Sequence, residues 1–294
     1  MRSLKTREAA DLLSVTPNTI RTWERKFGYP RPIRSPGGHR AYTYAEIKAL
    51  RDALKRGLSV ESAISAVREG VGADYEALVG AIDAFSDEAA DRAMEASLAL
   101  RSMERSVDEV LMPALEEVRR RDGTASTRWA VAHRWANDWL ARAQRLAPPA
   151  EPGDGVLIGD ATGADRSFAG PLIRALELFC RRGGLGVLAL PVEATSCLPD
   201  ALASVDPVCV VVAGGRSSDE QIGRWAYSVS RVTGALPTGL FLRAPRTPTA
   251  DSSARVLSRV PIEAYKEVLD LVAAGRCAKR AALGDEANRF AQPG

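Results

Sequence analysis

Histidine is nearly missing from this chain: there are two among 294 residues, His39 and His133. The four cysteines, Cys180, Cys197, Cys209 and Cys277, show neither CxxC nor zinc-ligand spacing. So thin a supply of imidazole and thiol excludes the usual clustered metal sites, and the cysteines are expected to be reduced packing residues. No apolar run approaches the roughly 20 residues needed to cross a bilayer. The start, Met1-Arg2-Ser3-Leu4-Lys5, lacks the apolar core of a signal peptide, so a cytoplasmic protein without a membrane partner is expected. Phosphate-cradling motifs are also missing, since Gly159-Asp160-Ala161-Thr162-Gly163-Ala164 is neither GxGxxG nor a P-loop. Asp160, Asp165 and Glu193 follow strand-like runs but form no nucleophile–base pair or metal cluster, and no enzyme is expected.

What the chain does have is charge placed unevenly. Residues 1–70 hold 14 Lys and Arg against 7 Asp and Glu, so a basic head precedes a mildly acidic body although the net charge is only +3. That is the electrostatic footprint of a nucleic-acid reader joined to something else. Within the head, Thr16 suits an N-cap and Pro17 a first helical turn, predicting a helix that ends near Gly28. Ile20 and Trp23 fall on one face of it, leaving Asn18, Thr19, Arg21, Arg25 and Lys26 for the others. A shorter helix over Thr6–Leu13 precedes it, and this pairing is the helix-turn-helix arrangement. Ser35-Pro36-Gly37-Gly38, flanked by Arg34, His39 and Arg40, reads as the tip of a basic two-stranded wing.

Three spaced elements carry a resemblance here: Leu4-Lys5-Thr6 with Ala9-Ala10; Thr16-x-Asn18-Thr19-Ile20-Arg21-x-Trp23-Glu24; and Gly37-Gly38-His39-Arg40-x-Tyr42. Together they resemble the winged helix-turn-helix of MerR-family transcription regulators. The resemblance implies that double-stranded operator or promoter DNA is the partner. Thr16, Asn18, Thr19 and Arg21 are then expected at bases or adjacent phosphates, and Arg25 and Lys26 at the backbone. Arg34, His39, Arg40 and Tyr42 are expected on the wing side, while Trp23 and Glu24 fix the helix against the wing.

Farther on, Thr43-Tyr44-Ala45-Glu46 reads as a capping box opening a helix to about Lys55. A second helix runs from Leu58 through Val67, and Gly70-Val71-Gly72 reads as a linker. Helical patterns then cover Tyr75–Phe85, Asp87–Leu100, Val107–Arg121 and Thr127–Leu146, with Ser86 and Ser106 as caps, and imply an antiparallel bundle. Pro148–Asp154 is a second linker. Beyond it, apolar runs at Gly155–Gly159, Gly186–Leu190, Cys209–Ala213 and Leu240–Leu242 alternate with helices over Gly170–Arg182, Ser218–Val232 and Pro261–Ala274. Such alternation predicts a parallel sheet covered on both faces.

The expected fold class is therefore multidomain α and α/β. A winged helix-turn-helix (1–72) leads into a four-helix bundle (73–148), a Rossmann-like or flavodoxin-like domain (154–283) and a tail (284–294). That order, with Met112-Pro113-Ala114-Leu115-Glu116-Glu117-Val118, resembles the cobalamin-dependent CarH/LitR branch of the MerR family. In that branch an Asp-x-His-x-x-Gly motif supplies the lower cobalt ligand. The matching stretch here keeps Asp165 and Gly170 but puts Ser167 at the histidine position. A hydroxyl is a far poorer ligand than imidazole, so conventional cobalamin ligation is not expected. Aligned on the bundle, His133-Arg134 fall where the branch has its upper-face Glu-His pair, which puts His133 at the glutamate position. Trp135 and Trp139 share a helix face that is read either as bundle core or as the wall of a flat ligand pocket. No sustained heptad follows Lys55, so a homo-oligomer must use the bundle or the sheet domain. The reading is a DNA-binding regulator whose second half serves self-association or another effector. The alternative is a light or small-molecule sensor holding cobalamin or another tetrapyrrole.

Overall fold

The computed structural model describes residues 3–34, 39–150, 153–163, 167–243 and 254–290. The chain divides into two compact units, Met1–Trp139 and Leu140–Gly294.

The first unit opens with strand β1 (Ser3–Lys5), helices α1 (Thr6–Leu13) and α2 (Pro17–Phe27), and strands β2 (Ile33–Arg34) and β3 (Arg40–Thr43). The three strands form an antiparallel sheet in the order β1-β3-β2. Thr16 caps α2 through the amide of Thr19, Pro17 occupies its first turn, and Gly28 ends it at φ +61°, a left-handed conformation that glycine adopts without a Cβ clash. Helices α3 (Tyr44–Lys55) and α4 (Val60–Asp83) close the domain over one core. That core gathers Leu4, Ala9, Ala10, Leu13, Ile20, Trp23, Tyr29, Tyr42, Ile47, Leu50, Ala53, Ala63 and Ile64.

Two local expectations fail in this unit. Gly70-Val71-Gly72 is no linker, because α4 is one helix of 24 residues running through it. Glycine weakens a helix interior by about 1 kcal/mol without forbidding it, and α4 recovers more by packing on α3, α5 and the segment after Arg101. Nor is Ser106 a cap. Ser102 caps instead, accepting from the Arg105 amide at 3.1 Å, and the Ser106 hydroxyl accepts from Ser97 at 2.9 Å. From there α6 (Met103–Ser106), a π-helical turn (Val107–Leu111) and α7 (Met112–Asp122) follow without a break. The π turn ends two residues before Pro113, whose ring would crowd the carbonyl four residues back in a regular α-helix. Helix α5 (Asp87–Leu100) is capped by Ser86 as expected, and α8 (Thr127–Arg145) follows α7.

The second unit is a five-stranded, wholly parallel sheet in the order β5-β4-β6-β7-β8. Its strands are β4 (Gly155–Asp160), β5 (Gly186–Pro191), β6 (Pro207–Ala213), β7 (Thr238–Phe241) and β8 (Arg255–Val256). The helices are α9 (Ala169–Arg182), α10 (Leu198–Val205), α11 (Asp219–Thr233) and α12 (Pro261–Phe290). Leu157, Val210 and Val212 pack with Leu198, Leu202, Trp225 and Val229 on the face of α10 and α11. Strand alternation turns Val156, Ile158 and Val211 the other way, to the face covered by α9 and α12. Neither α10 nor β8 was expected from the sequence, and the tail expected from Gly284 has helical backbone as far as Phe290.

Candidate nucleic-acid interface

Burial sorts the residues of α2. Ile20 is fully enclosed and Trp23 nearly so, while Asn18, Arg21 and Arg25 are exposed at positions i, i+3 and i+7, one continuous face. Thr16 is exposed and its hydroxyl lies 2.9 Å from that of half-buried Thr19. Lys26 is exposed and its ammonium rests 4.9 Å from the Phe27 ring centroid. The helix therefore presents an amide, hydroxyls and guanidinium groups together, the chemistry that reads base edges and grips phosphates.

On the wing side, Arg34 is placed by its backbone, paired with Arg40 across β2 and β3. His39 and Arg40 are exposed. Ser35–Gly38, expected at the wing tip, lie outside the described residues. Tyr42 requires a correction. It was expected at DNA, but its ring belongs to the core and its hydroxyl donates to the Glu24 carboxylate. Burial, reinforced by that carboxylate, holds the Tyr42 phenol above its ordinary range, so it stays protonated. Glu24 also meets Arg40 Nε at 3.3 Å, which ties the middle of α2 to β3. This is the bracing role expected of Glu24, while Trp23 is packed in the core that also holds Tyr42.

A second set of residues escaped the sequence reading. The Glu46 amide donates to Thr43 Oγ1 at 3.3 Å, half of the expected capping box, but the carboxylate is turned elsewhere. It accepts from the Arg31 amide at 3.0 Å and from Arg105 Nη1 at 2.6 Å. Arg105 also holds Glu109 through a two-pronged contact, 2.9 Å at each nitrogen, and stacks 4.9 Å from the Tyr29 ring. Burial works against the Arg105 charge, but Glu46 and Glu109 more than reverse that effect and keep it cationic. Burial also pushes the Glu46 carboxyl up, opposed by Arg105. One signal was legible: Arg105 and Glu109 stand four apart on a helix.

Residues expected around a cofactor are divided between the two units. His133 is half-buried, its ring 5.5 Å from that of Trp129 and Asn137 Nδ2 3.3 Å from Nε2. Trp135 is buried and donates its indole N–H to Asp91 at 2.9 Å, as a packed core residue does. Trp139 is buried as well. In the second unit, Asp165 lies outside the described residues, Ser167 is half-buried, and Gly170 donates its amide to the Ser167 carbonyl. Residues 140–294 contain no histidine at all, so this unit offers no imidazole to a cobalt corrin. The α9/α12 face of the sheet is also closed: a Cβ on Gly275 would lie 1.9 Å from the Val208 carbonyl oxygen, and one on Gly183 would strike the Tyr265 hydroxyl. The residues present do not fit a histidine-ligated cobalamin. Among the described residues no group of three or more His, Cys, Asp and Glu could hold a metal ion, and no helix is long and apolar enough to cross a membrane.

Comparison with known proteins bears on both units. Residues 5–42 match the family described as MerR family regulatory protein. Over 252 residues the chain is 28% identical to the HTH-type transcriptional repressor CarA of Myxococcus xanthus, covering 72% of this chain and 86% of that one. Over 141 residues it is 28% identical to the HTH-type transcriptional repressor CarH of the same organism, covering 40% of this chain and 47% of the other. The HTH-type transcriptional regulator MlrA of Escherichia coli (strain K12) is 36% identical over 61 residues, 21% of this chain and 25% of its own.

Proposed function

We propose that this chain is a DNA-binding transcription regulator with a reading domain of the MerR type, similar to CarA and CarH, and that its parts divide the work as follows. The observation that carries the proposal is the exposed face Asn18, Arg21 and Arg25 on a helix whose opposite side is locked into the core by Ile20 and Trp23. Asn18, Thr19 and Arg21 contact base edges or adjacent phosphates in the major groove. Thr16, Arg25, Lys26, Arg34, His39 and Arg40 contact phosphates or the neighbouring minor groove. Tyr42 acts from behind them. Two of the similar proteins are named repressors, and repression is the direction we assign.

The helices α4–α8 are read as a four-helix bundle, and the second unit as a Rossmann-like domain of flavodoxin-like order. Without an imidazole in that domain, we read it as a binding and self-association module, acting in the cytoplasm as part of a homo-oligomer and not as an enzyme. Its strand order reverses between β4 and β6, which supports an effector crevice at the carboxyl ends of those strands.

The test is selection of duplexes from a random-sequence pool on the full-length protein, followed by salt titration of the best duplex. A selected duplex that outcompetes random DNA at physiological salt is expected. In the Arg21→Ala and Arg40→Ala proteins the log–log salt slope should flatten by roughly one unit per lost phosphate contact. No enrichment over random duplex would sink the reading.

A further inference from the structure

Sequence resemblance confines DNA reading to the first 70 or so residues, but the contacts of Arg31 do not stop there. Arg31 follows the end of α2 and precedes β2, so it occupies the turn between the recognition helix and the wing. Its Nε donates to the carbonyl of Gly28, the residue that ends α2, at 3.2 Å. Its amide donates to Glu46, and its guanidinium lies 3.5 Å from Glu109. Both carboxylates are also partners of one buried cation, Arg105, at the end of α6. Glu109 itself stands on the π turn. The turn that aims α2 and launches the wing is therefore held through Glu46 and Glu109 by a residue outside the DNA-reading sequence.

We infer that Arg105, with Glu46 and Glu109, is a positioning residue for DNA recognition, fixing the turn at Arg31 and hence the relative pose of recognition helix and wing. The inference rests on the DNA-binding reading above and adds a function to a segment outside the residues that match the MerR family. Physical grounds favour a role in pose over one in bulk stability. A buried ion pair gains little over a well-packed apolar pair of similar volume, whereas its directional, two-pronged bonds specify one geometry. Side-chain burial agrees: Arg105 is 6% exposed and Glu46 1%, so neither is available to a phosphate.

The experiment uses the full-length protein and two probes, the duplex selected on the wild-type chain and a random duplex of equal length. Replacing both partners, Glu46→Leu with Arg105→Met, leaves neither of the two as an unpaired buried charge and leaves Glu109 to its contact with Arg31, and folding is checked by circular dichroism and thermal melting. The expected result is at least a tenfold loss of affinity for the selected duplex, with affinity for the random duplex changed less than twofold and the salt slope unchanged. Equal loss on both duplexes would make the pair a fold element only, and unchanged affinity would remove its role altogether. A slope reduced by about one would instead make Arg105 a direct phosphate contact. Should the double variant not fold, Arg105→Lys keeps the buried charge but lacks the planar fork. A threefold or greater loss confined to the selected duplex is expected there, and wild-type discrimination overturns the inference. Failure of the wild-type chain to select any duplex is a different result, which removes the DNA-binding reading itself.

Discussion

Tyr42 shows how a single hydroxyl changes a residue's task. In the sequence it stands two positions from Arg40, within a run of groups suited to phosphates, and its type gave no reason to set it apart. Core packing around the ring decides otherwise, and the hydroxyl is spent on Glu24. Tyr42→Phe should cost about 1.5–3 kcal/mol in urea unfolding, as loss of a hydrogen bond to a carboxylate does. The same change should weaken DNA binding with no change in salt slope, since no phosphate contact goes with it. The cysteines divide in a way that spacing alone did not reveal. Cys180 and Cys209 are buried, and desolvation pushes the Cys209 thiol up to about 12, whereas Cys197 and Cys277 are exposed. Brief treatment of the native protein with iodoacetamide should label Cys197 and Cys277, leaving Cys180 and Cys209 for the denatured chain. Mass spectrometry of the peptides distinguishes the two pairs.

Elements were legible wherever a local rule sufficed. The bounds of α2 follow from Thr16, Pro17 and Gly28, because caps and turn residues act within a few positions of themselves. Glycine-rich Gly70–Gly72 misled for the complementary reason: tertiary packing sustains a helix across residues whose own preference is against it. Glu46 misled similarly. Its spacing from Thr43 suits a capping box, and only the fold could bring Arg105 within reach from 59 positions away. Two glycines in helices test the packing argument from opposite sides. Gly80 in α4 is exposed and has nothing within 4 Å of an added Cβ, so Gly80→Ala should stabilise by about 0.5–1 kcal/mol. Gly275 in α12 faces the Val208 carbonyl, and Gly275→Ala should destabilise by about 1–3 kcal/mol as the helix is forced off β6. Hydrogen exchange of the α4 and β6 amides reads both.

Over the whole chain, the basic head and mildly acidic body were visible in the charge count, and the parallel sheet in the alternation of apolar runs with helices. What the sequence could not display was the closed α9/α12 face, which depends on Gly275 and Gly183 meeting residues far away in the chain. Together with the lack of histidine after His133, that closure predicts that protein incubated with adenosylcobalamin and passed through gel filtration keeps no visible absorbance. A coloured protein would contradict the assigned role of the second unit. Ser167→His supplies an imidazole at that position, and absorbance gained by this variant would show that the serine alone stands against corrin binding.

Helix α4 begins in the core of the DNA-reading domain, with Ala63 and Ile64, and continues unbroken to Asp83. At 1.5 Å per residue it is a rod of about 36 Å with no swivel along it. If two copies join through their helices, each rod fixes the angular phase at which its reader meets the duplex. Inserting five base pairs between half-sites, about half a turn of DNA, would carry one half-site to the far side of the double helix. Binding by the pair should then fall to that of a single reader, and ten inserted base pairs should restore the facing without restoring the reach.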